Sequence, residues 1–172
     1  MKSLIIIILL SFSFTALAQE TEKGKIKIEE LPGVVIKRVG TDFSVYIPDN
    51  NPDQKVKMVE EKFIAYDLGK DAEGYEEYLV VMEVKDGSLT ATYNENGKLV
   101  RVVENFKNVR LPSDVIYSIY RTYPGWSIVN DSFLYTQEDG DVIKKQYNVK
   151  IKKDKEVVKL LVRPNGEILK AK

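Results

Sequence analysis

Apolar residues recur at helical spacing between Phe106 and Trp126, the one segment with a clear helix start and a clear helix stop. Pro112 fits the first turn of a helix because that turn needs no N–H donor, and Pro124-Gly125 prevents continuation. The apolar positions that share one helix face are Val115, Ile116, Ile119 and Tyr123. The pattern predicts an α-helix of about ten residues over 113–123, whose apolar stripe must pack against strands.

Strand-like alternation fills much of the remaining chain, and one stretch of it occurs twice. Ten positions between Tyr78 and Val100 have counterparts of matching character at a constant offset of 69 residues. The first members of these pairs are Tyr78, Val80, Met82, Leu89, Ala91, Tyr93, Asn96, Gly97, Leu99 and Val100. The repetition predicts a duplicated unit in which one helix is followed by four antiparallel strands.

The helix of the first unit has a weaker signal than the helix of the second. Val56, Val59 and Phe63 lie at helical spacing, although the same stretch, KVKMVEEKF, can also be read as a strand. A short strand over Ile64–Leu68 is predicted to follow this helix. Each half then reads as a helix followed by four strands.

Glycine-containing turns separate the predicted strands. Asp86-Gly87 is typical of a two-residue type I′ turn, and the segments Asn94–Gly97 and Arg163–Gly166 are typical of four-residue turns. The segment Gln137–Asp141 has residue types found in calcium loops, but it lacks their full spacing and their closing glutamate. We therefore expect a solvated hairpin turn there, and no metal site.

The phase of alternation distinguishes two faces of the predicted sheet. Tyr147, Val149 and Ile151 point to one side, whereas Gln146, Asn148, Lys150 and Lys152 point to the other, so the second unit has a core face and a wet face. The corresponding wet-face positions of the first unit are Leu79 and Val81, which are apolar. Something is expected to cover them.

Two coverings are possible for Leu79 and Val81. β-rich runs at 34–39 and 43–47 are compatible with a hairpin, and the N-terminal segment 33–47 could lie over the apolar positions. A partner protein is the alternative, because exposed apolar patches often mark interfaces. The sequence leaves both open.

Together these elements predict an α+β fold built of tandem helix-plus-four-stranded antiparallel meander repeats with an extra N-terminal β segment. The predicted organisation is a signal peptide at 1–18, a flexible N-terminal segment at 19–32, the β segment plus the first repeat at 33–106, and the second repeat at 107–172.

The N-terminus has the features of a secretory signal peptide. Lys2 supplies a positive charge, Leu4–Phe14 is an apolar run broken only by serines, and Ala16-Leu17-Ala18 is a small-x-small cleavage site. The apolar run is shorter than the roughly 20 residues needed to span a bilayer. Cleavage after Ala18 is expected to leave a periplasmic or secreted chain with no membrane span.

Composition excludes several kinds of chemistry. The chain has 26 basic and 26 acidic residues, interspersed along its length, which is not typical of a nucleic-acid-binding protein. It contains no cysteine and no histidine, so disulfides, Cys nucleophiles, Ser-His triads and His-liganded metals are excluded. No GxGxxG motif or P-loop is present. The sequence therefore predicts no catalytic residue, no cofactor and no metal.

Carboxylates and tyrosines leave two alternatives open. The adjacent pairs Glu60-Glu61 and Glu76-Glu77 point apart on any helix or strand, so a carboxylate hydrolase would need distant acids brought together in a cleft. Tyr117, Tyr120 and Tyr135 could be surface rings for a small ligand or a cell-envelope glycan. The tyrosines expected on core faces are Tyr78, Tyr93, Tyr123 and Tyr147.

The second half carries packing and turn residues that resemble a known family. They are Leu111-Pro112, Val115, Ile119, Tyr123-Pro124, the strand centred on Tyr147, and Asn165-Gly166-Glu167-Ile168. Over about Leu89–Lys170 the chain resembles the secreted PepSY-like domains related to the beta-lactamase inhibitory protein. The resemblance implies tandem units whose sheets join into a curved surface that grips another protein, without catalysis.

This chain departs from the inhibitor in having no disulfides, and none of the inhibitor's enzyme-gripping residues has a matched position here, so only the general binding role carries over. The sequence thus predicts a non-catalytic exported module that holds or modulates an unknown exported protein or peptide on an open sheet face. Its candidate interaction residues are Leu79, Val81, Tyr117, Tyr120 and Tyr135.

Overall fold

Two helices and nine strands make up the described part of the chain. The computed structural model describes residues 35–39, 42–66 and 76–172. The helices are α1, Gln54–Ala65, and α2, Ser113–Thr122. The strands are β1 Val35–Val39, β2 Asp42–Tyr46, β3 Glu77–Val84, β4 Gly87–Asn94, β5 Leu99–Lys107, β6 Ser127–Glu138, β7 Asp141–Lys153, β8 Glu156–Val162 and β9 Ile168–Ala171. The predicted signal peptide and flexible segment lie outside the described residues.

Seven of the strands form one antiparallel sheet in the order β3-β4-β5-β6-β7-β8-β9, so each strand pairs with its neighbour along the chain. The two halves of the chain are joined by β5 and β6, which pair from Arg101↔Glu138 to Lys107↔Ser132. β1 and β2 pair with each other as a separate antiparallel two-stranded sheet. The fold is therefore α+β, with an antiparallel sheet and two helices.

Strands of the two halves occupy equivalent positions along the chain. β4 and β5 start 69 residues before β8 and β9, and β3 ends 69 residues before β7. Both Gly97 and Gly166 have positive φ, of 73° and 84°. In each turn the glycine N–H donates to the carbonyl three residues earlier, at 2.9 Å. An internal duplication, with its tandem repeats, stays a prediction.

The start of the strand predicted over Ile64–Leu68 is helical instead. Residues Ile64 and Ala65, expected at the start of a short strand, belong to α1 instead, and residues 67–68 lie outside the described residues. The helix is extended because Ile64 continues its apolar side and packs against the core. Val56, Val59 and Phe63 are all buried, so the helical interpretation of KVKMVEEKF is confirmed.

The core lies between one face of the seven-stranded sheet and the two helices. Helix α2 buries Val115 and Ile119, each fully, while Ile116 is 37% exposed, so the predicted stripe is narrower than four residues. Its Pro112 is the N-cap and makes no side-chain capping bond. The four tyrosines predicted for core faces all belong to this core or pack against it: Tyr78, Tyr93, Tyr123 and Tyr147.

The predicted type I′ turn at Asp86-Gly87 is wrong by one residue. The loop is Lys85-Asp86, only Asp86 has positive φ, and Gly87 is the first residue of β4. Gly87 is there because the Phe106 ring packs over its Cα, where an added Cβ would lie 2.8 Å from Phe106 Cγ. The turn with two positive φ values is Asp139-Gly140, at 46° and 89°, within the predicted hairpin.

Candidate functional site

The two faces of the seven-stranded sheet differ in what covers them. Helices α1 and α2 and the segment 44–49 pack on one face, where the buried core lies. Alternation along the strands sends the remaining side chains to the opposite face, on which the described residues place no helix. We call this second side the open face and define it by Leu79, Val81, Thr90, Val103 and Lys150.

Leu79 and Val81 lie on the open face and are not covered by segment 44–47. Their side chains are 65% and 46% exposed, and they pair across β3 and β4 with Thr92 and Thr90. Residues 44–47 do not cover them because they pack on the other side of the sheet, where Tyr46 O–H donates to the buried Glu104 Oε1 at 2.8 Å. Of the two predicted coverings, this one is wrong for the described residues.

The structure does not bring the candidate tyrosines to the open face. Tyr117 and Tyr120 are 68% and 46% exposed on the outer side of α2, and Arg121 lies over the Tyr117 ring at 5.7 Å. Because α2 packs on the core face, these rings point away from the side of the sheet that carries Leu79 and Val81. The candidate residues therefore form two separate surfaces.

Tyr135 is buried, so its assignment as a surface ring is wrong. Its side chain is 1% exposed on the core face of β6, beneath the segment that follows β2. The phenolic O–H donates to the carbonyl of Ile47 at 2.6 Å. The segment around Ile47, which is distant in sequence, covers this ring and makes it a core residue. Local alternation does not reveal such a covering.

Lysines line a concavity at the other end of the open face. The concavity has a volume of about 490 Å³ and spans β6 to β9, and we call it the lysine concavity. Lys150 on β7 and Lys159 on β8 are direct cross-strand partners, and Lys170 on β9 is opposite Leu161. The principal side chains of the open face that line it are Asn130, Ser132, Asn148, Lys150, Lys159, Leu161, Lys170 and Lys172.

A buried polar network fixes the segment 44–53 to the core face. Tyr46 O–H donates to Glu104 Oε1 at 2.8 Å, and the Gln137 side chain accepts from Ile47 N at 2.9 Å and donates to Val45 O at 2.6 Å. Further along the segment, Asn51 Nδ2 donates to Tyr147 Oη at 3.1 Å. These bonds replace the strand pairing that this segment lacks after β2.

Three carboxyls lie together in that network: Asp49, Glu60 and Glu104, which we call the carboxyl cluster. All three are buried, Glu60 Oε1 accepts from Asp49 N at 3.0 Å, and Lys145 forms an ion pair with Asp49. Glu104 Oε2 has no hydrogen-bond partner among the described residues. Burial removes these acids from water, and the partly exposed Lys145 pairs with Asp49 only, so the neutral form of the carboxyls is favoured.

The electrostatics of the carboxyl cluster follow from this burial. Burial raises the pKa of Glu104 well above its ordinary range, and the negative charge of Glu60 raises it further. Burial also raises the pKa of Glu60 to about 7; the hydrogen bond from Asp49 N opposes this rise, and the charge of the Asp49 carboxylate adds to it. The pKa of Asp49 is raised by burial as well, although the Lys145 ammonium opposes the rise. Burial thus favours the protonated form of Glu104.

The carboxyl cluster has a structural role that its geometry explains. Its acids are too buried to meet a substrate, and their bonds go to the backbone and tyrosines of the segment they hold. In the part of the chain that the structure describes, no group of three or more acidic side chains is arranged to hold a metal ion. We therefore assign the candidate functional site to the open face.

Sequence reasoning missed Glu104 and the facing lysines, although signals for both were present. Glu104 alternates with Val102 and Phe106, so period two places an acid on a core face. A two-residue loop at Asp154-Lys155 is enough to set Lys150 opposite Lys159. Glu104 could have been found by extending the alternation along β5, and the lysine pair by counting the register back from the Asp154-Lys155 loop.

No protein-family model matches the chain, and the search of curated proteins finds no match. Among solved structures, a DUF2874 family protein from Bacteroides ovatus is 17% identical, with a TM-score of 0.36, and the match covers 72% of this chain and 88% of that chain. A BLIP-like protein from Bacteroides fragilis is 14% identical, with a TM-score of 0.34, and the match covers 58% and 70%. Similarities this weak do not assign a family or a function.

Neither helix within residues 35–39, 42–66 and 76–172 is long and apolar enough to cross a membrane.

Proposed function

We propose that this chain is an exported, non-catalytic module that binds a protein partner on the open face of its sheet. The observation that supports the proposal is the pair of exposed apolar residues on β3, Leu79 at 65% and Val81 at 46%, on a face that neither helix covers. Adjacent exposed apolar side chains on a sheet are typical of interaction surfaces. Export is supported by the signal-like N-terminus.

The open face offers contacts suited to a protein surface. Its β3 to β6 half presents a mixture of apolar and hydroxyl side chains: Leu79, Val81, Thr90, Val103 and Leu134. Interfaces between proteins combine apolar contact with a polar rim in this way. The tandem-repeat architecture and the resemblance to PepSY-like domains are part of the proposal, since both imply sheets joined into one gripping surface.

The test is site-specific photocrosslinking in cells of the source organism. A photoreactive phenylalanine analogue is placed at Thr90, between Val81 and Val103 on the open face, and in a second strain at Tyr117 on the outer side of α2. We expect a discrete protein adduct from Thr90. The double variant Leu79→Lys with Val81→Lys should fold normally, because both side chains are exposed, and should lose at least about nine-tenths of that adduct.

The matched control adds the same charge on the helix side, with Met58→Lys and Thr122→Lys, both at exposed positions. This control should keep the Thr90 adduct. Adducts from Tyr117 with none from Thr90, or an undiminished Thr90 adduct in the Leu79 and Val81 double variant, would refute the proposal.

The alternatives have weaker support. A glycan or small ligand would need aromatic walls, and the lysine concavity has no tyrosine, phenylalanine or tryptophan among its described lining residues. A shallow hollow beside α2 includes Tyr117, but Arg121 already lies over that ring. A carboxylate hydrolase is disfavoured because the clustered acids Asp49, Glu60 and Glu104 are buried.

A further inference from the structure

We infer that the lysine concavity receives an acidic polypeptide segment of the partner. The inference rests on the proposed function, because it assigns a chemistry to the partner of the same open face. The observation that carries it is an arrangement of like charges: Lys150 and Lys159 are directly opposite each other on β7 and β8, and Lys170 and Lys172 line the same hollow.

This arrangement costs stability and has no compensation within the described residues. Like charges at directly opposed positions of an antiparallel pair destabilise it. Among the residues that the structure describes, no acidic side chain lines the hollow and none forms an ion pair with any of the four lysines. Features that break a local rule without internal gain are expected at functional sites. A ligand carrying carboxylates would supply the missing charges.

The chain as a whole is not basic, which makes the local excess informative. Basic and acidic residues are equal in number, at 26 each, so the hollow concentrates positive charge within a neutral molecule. A concave surface of one sign focuses the electric field and speeds the capture of an oppositely charged partner. The floor also offers Asn130, Asn148 and Leu161, which can bond a peptide backbone and contact an apolar side chain.

The shape of the hollow favours a polypeptide over a lipid surface. Its lysines lie around a depression of about 490 Å³, which a protruding segment can enter and a flat bilayer cannot. The distance to Leu79 along the open face is about 24 Å, taken from five strand steps between β3 and β8. One partner of ordinary interface size can contact both ends.

The test uses a fluorescein-labelled oligoglutamate peptide of about twelve residues as the probe, with binding to the full mature chain followed by fluorescence anisotropy at low salt. Lys150→Glu replaces the repulsive pair with an opposed Glu and Lys, so its Tm should be at least as high as that of the unsubstituted protein. The same substitution should weaken probe binding roughly tenfold. Lys57→Glu, an exposed position on α1, changes the net charge equally and should leave binding within about twofold.

Equal weakening by both variants would overturn the inference, since it would show a response to net charge alone. Binding of phosphatidylglycerol vesicles or of polyphosphate, with no binding of oligoglutamate, would also overturn it and assign the lysines to a lipid or phosphate ligand. These results are separable from the proposed function. A Thr90 adduct that persists while the oligoglutamate test fails would leave protein binding in place and remove only the acidic partner.

Discussion

Replacing Glu60 by glutamine should flatten the pH dependence of stability. Burial raises the pKa of Glu60 from 4.5 to about 7, so the folded chain binds this proton more tightly than the unfolded chain. Stability is therefore greatest while both states are protonated, and it falls as pH rises from about 4.5 to about 7. Glutamine can keep the bond from Asp49 N, which is 3.0 Å from Glu60 Oε1, and cannot ionise.

The magnitude follows from the two pKa values. One pKa unit corresponds to about 1.4 kcal/mol, so the ionisation of Glu60 removes about 3 kcal/mol of unfolding free energy across that range. Relative to the unsubstituted protein, Glu60→Gln should gain this amount as pH rises. Any fixed cost of burying the amide shifts the whole profile without changing its slope.

Urea unfolding followed by fluorescence of the single tryptophan, Trp126, gives the free energy of unfolding at each pH. Trp126 contacts Tyr123 and packs against the core, so its emission reports on tertiary structure. Glu61→Gln is the matched control, because Glu61 is the next residue of α1 and is exposed. Parallel profiles for Glu60→Gln and the unsubstituted protein would refute the reasoning, as would equal flattening in Glu61→Gln.

Two further substitutions test packing. Gly166→Ala should lower the unfolding free energy by about 2–4 kcal/mol, because φ is +84° and the added Cβ would lie 2.6 Å from Asp114 O. Gly125→Ala is the control: φ is +80°, the nearest atom to the added Cβ is 3.7 Å away, and the expected loss is only about 1 kcal/mol. Equal losses would show that the close approach to α2 is unimportant. Ile119→Ala should lower the unfolding free energy by about 2–5 kcal/mol and Ile116→Ala by less than about 1 kcal/mol, since only Ile119 is fully buried. Thermal unfolding measures both variants, and similar losses would contradict the assigned helix face.

Local pattern was sufficient for the elements whose partners are close in sequence. The stripe containing Val115 and Ile119 located α2, and alternation around Tyr147 identified a core face that is buried in the structure. Hairpin strands neighbouring each other along the chain needed only turn residues and phase. The turn predicted at Asp86-Gly87 lies one residue too late, because Gly87 is required by the close packing of the Phe106 ring and not by the turn.

Contacts between distant segments could not be read from the sequence in the same way. Tyr135 has a pattern compatible with either surface or core, and only the overlying carbonyl of Ile47, 88 residues away, makes it a core residue. The segment after β2 packs on the core face of the sheet, so it buries Tyr135 and leaves Leu79, on the opposite face, exposed. The local sequence does not specify the face on which this segment packs. Its hydrogen bonds join polar groups that could equally well be hydrated at the surface.

The order of the sheet also has a consequence for folding kinetics. Every strand from β3 to β9 pairs with its neighbour along the chain, so the sheet can grow by successive hairpins with little loop-closure entropy at each step. The end of β2 and the segment after it differ, since Tyr46, Ile47 and Asn51 bond partners 58, 90 and 96 residues away. They can dock only on a sheet that already exists, which makes docking a late step and predicts that their amides exchange with solvent before those of β5 and β6.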